Sequence, residues 1–184
     1  MANRAAVFID GGYLSHVLKK EYGTPSIRFD RLSRVLLSEN EDLLRTYYYH
    51  CLPWMSEDPT PEEQTRYDSM RSFIDAISAL ERFEVRLGQL VLRGLNAEDR
   101  PIFEQKRLDV MLACDLLSMA LMGRIQTAIL LTADSNYLPV IRLARQAGVL
   151  VRLVHGDRSR PHGDLWRECD ERMLLTRELI DEIL

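Results

Sequence analysis

Hydrophobic positions in this chain fall into short apolar runs separated by segments of helical period, and that alternation predicts its elements. The runs at 5–9 (AAVFI), 128–131 (AILL) and 149–154 (VLVRLV) are far shorter than a membrane span and nearly continuous, so they predict buried strands. Leu43 to Leu52, with Tyr47, Tyr48 and Tyr49 at its centre, and the alternating stretch Phe83 to Leu92 bring the number of strands to five. Between them, apolar residues recur at steps of three and four. Tyr13, Leu14, Val17 and Leu18 predict one helix, Leu32, Val35 and Leu36 a second, and Tyr67, Met70, Ile74 and Ile77 a third. Leu138, Val140, Ile141, Leu143 and Ala144 predict another, while Leu108 to Leu121 is apolar nearly all round, as a helix buried against a sheet should be. Pro61, with Glu62 and Glu63 behind it, marks a helix start, and Gly23 and Gly148 mark helix ends. The segments Arg93 to Gln105 and His155 to Gly163 read as exposed connections, and short helical pieces near Leu165 and from Thr176 to Leu184 close the chain. Strands alternating with helices imply an α/β fold with a mainly parallel five-stranded sheet covered on both faces, in a single domain over residues 1–184.

Composition narrows the class without naming a function. The 46% hydrophobic and 28% charged content over 184 residues is that of an ordinary globular protein. No run approaches the length of a membrane span and no basic-then-apolar leader opens the sequence, so a cytoplasmic protein with no membrane association is expected. A net charge of −4 speaks against strong nonspecific nucleic-acid binding and leaves a local basic patch open. Cys51, Cys114 and Cys169 form no CxxC pair and are odd in number, which reads as reduced thiols. His50, His155 and His162 lack the spacing of a zinc site.

The acids carry the chemistry. Asp10 follows the first strand and precedes Gly11 and Gly12; Asp134 follows the strand at 128–131 in the stretch TADSNY. Ligands of α/β sheets gather at the carboxyl ends of strands where the strand order reverses, so two strands ending in Asp invite a shared site. Asp109 and Asp115 lie in the apolar helix, where a carboxylate needs a partner or a cation. Three or four such groups together would repel one another unless a hard divalent ion, Mg²⁺ or Mn²⁺, neutralised them, and such an ion can activate water against a phosphodiester. The same residues also fit a plainer reading in which Asp10 and Asp134 are helix caps and Asp115 pairs with an arginine. Residues six apart on a straight helix differ by about 240° around its axis, so Asp109 and Asp115 cannot both face one point. Asp115, flanked by Met111, Leu112 and Met119, is the stronger candidate of the two. Lys106 and Arg107 are candidates for holding a phosphate, and Ser135 with Thr132 for capping or supporting the site. Tyr13 either stacks on a base or packs under a loop. Arg142, Arg145, Arg152, Arg158 and Arg160 form a late basic stretch able to guide RNA.

Four segments, VFIDGGY at 7–13, YYYHCLPW at 47–54, EQKRLDVMLACDLLSMAL at 104–121 and LLTADSNYLPVIRLARQAGVLVRL at 130–153, together resemble the NYN domain. More narrowly they are similar to its LabA-like bacterial branch, within the PIN-like nuclease superfamily. The resemblance implies a three-layer α/β/α PIN-like fold and an aspartate cluster that binds Mg²⁺ or Mn²⁺ for ribonuclease chemistry. By position, Asp10 matches the acid after the first strand, Asp109 and Asp115 match the acids of the KxxD stretch and its helix, and Asp134 matches the first acid of an SGDSDF-like motif. The family usually has Asn at the place of Tyr13 and a second acid at the place of Asn136. Asn136 can still ligate through its carbonyl oxygen, with one charge fewer to hold the ion. The expectation is a metal-dependent endoribonuclease acting on single-stranded RNA, with Asp10, Asp115 and Asp134 as principal ligands, Asp109 as a fourth and Asn136 as a weak one. The alternative is a module that keeps the fold but has lost metal affinity, and binds RNA or a protein partner in a regulatory role. A homodimer is the default expectation for oligomeric state.

Overall fold

A computed structural model describes residues 3–98 and 100–184. Its centre is β1 (Asn3–Asp10), buried on both faces because every residue from Ala5 to Ile9 is apolar. The sheet runs β4-β3-β2-β1-β5-β6-β7, with β2 at Glu41–Cys51, β3 at Phe83–Leu95, β4 at Pro101–Lys106, β5 at Thr127–Leu131, β6 at Leu150–His155 and β7 at Glu171–Leu174. All neighbours are parallel except β3 and β4. One face carries α1 (Gly11–Tyr22), α2 (Phe29–Val35), α3 (Pro61–Ser78) and α7 (Arg177–Glu182), packed on Val7, Ile9, Tyr48 and Ile129. The other carries α4 (Leu108–Leu121), α5 (Leu138–Gln146) and α6 (Gly163–Glu168), packed on Phe8, Tyr47, Tyr49 and Leu130. The three-layer α/β class expected from the sequence is present, with seven strands in place of five.

The two additional strands lie at the sheet's edges, where burial imposes little apolar pattern. The segment Arg93 to Gln105, expected as a connection, instead finishes β3 and turns back as β4, antiparallel, with Gln89 opposite Lys106 and Leu95 opposite Pro101; Asp99 lies outside the described residues. Every residue of β4 but Phe103 and Lys106 is exposed, so no apolar run marked it. β7 is four residues long and begins with Glu171 and Arg172. Elsewhere local chemistry sets the element ends as expected. Thr60 and Glu63 close a capping box ahead of Pro61, and Gly23, at φ 76°, ends α1 in the left-handed conformation that glycine adopts without penalty. Asp30 sits inside the first turn of α2, paired with Arg28, and does not cap it.

The β3–β4 hairpin delivers α4 to the sheet through a close contact at Gly88. A Cβ there would stand 2.6 Å from the Lys106 carbonyl oxygen and 2.7 Å from Leu108 Cγ. Gly88→Ala is therefore expected to destabilise the protein by about 1–3 kcal/mol, read as a lower urea midpoint, because backbone and a buried Leu cannot both retreat.

Candidate active site

At the carboxyl edge of the sheet the strand order turns outward on both sides of β1, and β1 and β5 lie side by side there. Asp10 ends β1 and caps α1: its Oδ1 accepts the Tyr13 amide at 3.0 Å. β5 stops at Leu131 and Thr132 follows, fully buried. The Thr132 hydroxyl donates to Asp10 Oδ2 at 3.4 Å and accepts the Asp134 amide at 3.2 Å, so one threonine links the two acids. Asp134 in turn caps a 3-10 turn over Ser135–Tyr137 that leads into α5; its Oδ1 accepts the Asn136 amide at 2.8 Å.

The third acid at this edge is Asp109. Helix α4 already includes it, in the first turn, and Asp109 Oδ1 accepts the hydroxyl of buried Tyr137 at 3.1 Å. Its Oδ2 has no protein donor among the described residues. Burial raises the Asp10 pKa above the usual carboxylate value; the Tyr13 and Gly12 amides and Thr132 pull it back, and the negative charge of Asp109 raises it again. Tyr137 is pushed well above a phenol's normal range, by burial first and then by the charges of Asp109, Asp10 and Asp134. Among the described residues no Lys or Arg pairs with Asp10, Asp109 or Asp134, although ion pairs are common elsewhere.

Asp115 is placed differently. Six residues further along α4, about 9 Å along the axis, it faces β2 and β3. Arg86 holds it with Nε at 2.9 Å from Oδ2 and Nη2 at 3.3 Å from Oδ1, and the Tyr49 hydroxyl donates to Oδ2 at 2.9 Å. Since α4 starts at Leu108 and contains both acids, only Asp109 joins Asp10 and Asp134 at the strand ends. The plainer alternative for Asp115, an arginine partner, describes its position, and the same holds for Asp10 and Asp134 as caps. Capping leaves lone pairs on both carboxylates, so the two roles coexist.

The remaining candidates fall into three groups. Lys106 ends β4, and Arg107 links it to α4 at φ 77°, exposed and without an ion pair among the described residues. Ser135 and Asn136 form the turn after Asp134, and the Asn136 side chain donates its Nδ2 to Asp134 Oδ2 at 3.3 Å, presenting a donor where a metal ligand would present an oxygen. Tyr13 lies under the loop after β6: its hydroxyl accepts the Gly156 amide and donates to the Ser159 carbonyl, and burial pushes its pKa up to about 12, so it stays protonated. The late arginines are mostly spent in ion pairs. Arg142 and Arg145 share Glu168, Arg145 also takes Asp170, Arg152 is buried with Glu41, and Arg160 pairs with Asp157. Tyr137 and Arg86 were not legible as site residues, since the first closes the polar stretch TADSNY ahead of a helix and the second lies in an alternating strand.

Donor chemistry decides whether the site suits a cation. The three acids offer oxygen alone, none of them is in an ion pair among the described residues, and the charge of Asp109 adds to the burial that raises the Asp10 pKa, a donor set of the kind a hard divalent ion takes. Among the described residues no three His, Cys, Asp or Glu side chains are grouped closely enough to hold a metal ion between them. Magnesium is commonly held by one or two carboxylates, with water and substrate phosphate completing its shell, so a site for it would draw on one or two of these acids and on the substrate.

Comparison with known proteins gives the chain its relatives. The family model described as NYN domain matches residues 4–175. No curated protein matches. Among solved structures, a protein of unknown function from Vibrio parahaemolyticus superposes with a TM-score of 0.61 at 16% identity, covering 100% of this chain and 96% of that one. At that identity the likeness speaks for the fold.

Proposed function

The chain belongs to the NYN domain family, a member of the PIN-like nuclease superfamily, and from that premise we propose that it is a metal-dependent endoribonuclease working at the edge formed by Asp10, Asp109 and Asp134. The observation that supports this reading is the placement of three acids, none of them ion-paired among the described residues, at the edge where β1 and β5 end. A bound Mg²⁺ or Mn²⁺ would supply charge neutralisation for the phosphodiester and a water of lowered pKa. The protein's part is orientation. Thr132 fixes Asp10 relative to Asp134, Tyr137 fixes Asp109, and the Tyr13 amide holds Asp10 at the mouth of α1. Asp115 serves as a brace that anchors α4 to β3 through Arg86. The reading is tested by incubating labelled single-stranded RNA with purified protein and Mg²⁺, Mn²⁺ or chelator, beside calorimetric titration of each ion. Cleavage that requires the ion supports it. No cleavage in either metal and no ion binding would leave a binding module instead.

Lys106 and Arg107 are proposed to hold the RNA backbone beside Asp109. Arg107 occupies a left-handed backbone position that costs a non-glycine residue about 1–2 kcal/mol, and folding alone gives no reason to keep an arginine there. Arg107→Gly is expected to leave stability unchanged or raise it by up to about 1 kcal/mol, since relief of strain offsets the more flexible unfolded chain. The same variant should weaken RNA binding several-fold and make its log–log salt dependence shallower by about 0.7, the share of one phosphate contact on a single strand. Thermal melts and binding isotherms at graded salt measure both effects.

A further inference from the structure

The loop between β6 and α6 is fastened to α1 at four successive residues. The Gly156 amide donates to the Tyr13 hydroxyl at 3.1 Å, the Asp157 amide donates to Glu21 Oε2 at 2.8 Å, Lys20 Nζ donates to the Arg158 carbonyl at 3.3 Å, and the Tyr13 hydroxyl donates to the Ser159 carbonyl. The seam is close at Gly156: a Cβ there would stand 2.4 Å from Glu21 Oε1 and 3.0 Å from Val17 Cγ1, so a larger residue would displace the Glu21 carboxylate that holds the loop. Tyr13 is thus connected to two things at once. Its amide donates to the capping carboxylate of Asp10, and its hydroxyl, both donating and accepting, holds the two ends of the segment 156–159. The loop leaves the carboxyl end of β6, the neighbour of β5, and so stands one strand away from Thr132 and Asp134. Its side-chain charges nearly cancel, with Arg160 turned onto Asp157. Arg158 is left exposed, its side chain without a partner among the described residues.

We propose that Tyr13 is a positioning residue: it holds the loop at 156–159 so that Arg158 contacts the phosphate backbone of single-stranded RNA on the β6 side of the site. The inference rests on the ribonuclease reading above. It assigns Tyr13 no stacking on a base, because the ring lies half-buried beneath the loop and both capacities of its hydroxyl are used by loop backbone. Arg158 and the Lys106–Arg107 pair then flank the acids from opposite sides, one on the β6 loop and the other at the end of β4.

A double-mutant cycle with Tyr13→Phe, Arg158→Ala and the pair tests this, read as KM and kcat on labelled RNA and as Kd in chelator. A second readout needs no RNA. Trypsin attacks the Arg158–Ser159 bond when the loop is loose, whereas the bond after Arg160 is protected by Pro161. Each single variant is expected to raise KM by about five- to tenfold, as loss of one charged phosphate contact does, and to change kcat less. Tyr13→Phe should add little in the Arg158→Ala background, and should speed nicking at Arg158 in the otherwise unchanged chain. Additive effects in the cycle, a change confined to kcat, or unaltered nicking would overturn the proposal. If the unaltered protein binds no RNA, the parent reading fails as well; if it binds RNA and the cycle is additive, only this inference does.

Discussion

Asp134→Asn is expected to reduce metal-dependent RNA cleavage by about 100-fold or more, whereas Asp115→Asn keeps the reaction and loses stability. A bound ion contributes several kcal/mol to stabilising the charge of a phosphoryl transition state, and each 1.36 kcal/mol is about tenfold in rate. Asp134 is one of three carboxylates at the β1–β5 edge, and an amide there keeps the cap on Asn136 while removing a charge from the ion's surroundings. The fold should therefore survive the change. Asp115 already has Arg86 and Tyr49 for company, so its neutralisation leaves Arg86 with Glu84 alone and costs about 1–2 kcal/mol of folding free energy. Single-turnover cleavage rates and melting temperatures of the two variants separate the roles. A dead but stable Asp115→Asn protein beside an active Asp134→Asn protein would reverse the assignment.

The largest effect on stability is expected at Arg152. This guanidinium, on β6, is buried and reaches across the amino end of the sheet to Glu41 at 2.7 Å, to the Leu36 carbonyl at 3.1 Å and to Ser38 Oγ at 2.9 Å, with Glu171 on its outer side. Arg152→Ala strands the Glu41 carboxylate, whose side chain is 3% exposed, and breaking such a pair from one side costs about 3–5 kcal/mol. For a chain of this size that is a fall in Tm of about 6–20 °C. The pair also sets a pH dependence. Burial raises the Glu41 pKa, but the hydrogen bonds from Arg152 and the Ser38 amide more than reverse this, so the folded value lies below the ordinary 4.5. The unfolded chain therefore takes up the proton first as pH falls. Glu41 contributes its full stabilisation above 4.5 and loses it as pH drops through the folded value. Melting curves from neutral to acid should show this loss in the unaltered protein, and Glu41→Gln should flatten that part of the profile.

Sequence reading recovered what burial dictates. The runs at 5–9, 128–131 and 149–154 became β1, β5 and β6 because strands covered on both faces must be apolar throughout. The apolar helix at 108–121 emerged with the same bounds. β4 was invisible because an exposed edge strand obeys no apolar rule, and with it went the knowledge that Lys106 and Arg107 end a strand that feeds α4. At the site, Asp10 and Asp134 were legible as acids at strand ends. The choice between Asp109 and Asp115 was not, since it depends on which way α4 is rotated against the sheet. Surrounding apolar residues made Asp115 look like the buried acid in need of a cation. Arg86, on a strand 29 residues away in sequence, had already met that need. No local pattern announces a partner that arrives from another strand.

The joining of β1 to β5 bears on how this protein is made. Asp10 and Thr132 are 122 residues apart in the chain, yet their side chains touch. A ribosome that halts before β5 releases a product with Asp10 but without Thr132, Asp134 or the strand that would seat them. Such a fragment carries no assembled acid edge. On the ribonuclease reading, an enzyme that is itself translated from RNA stays harmless to its own template until β5 and the acid behind it have been synthesised.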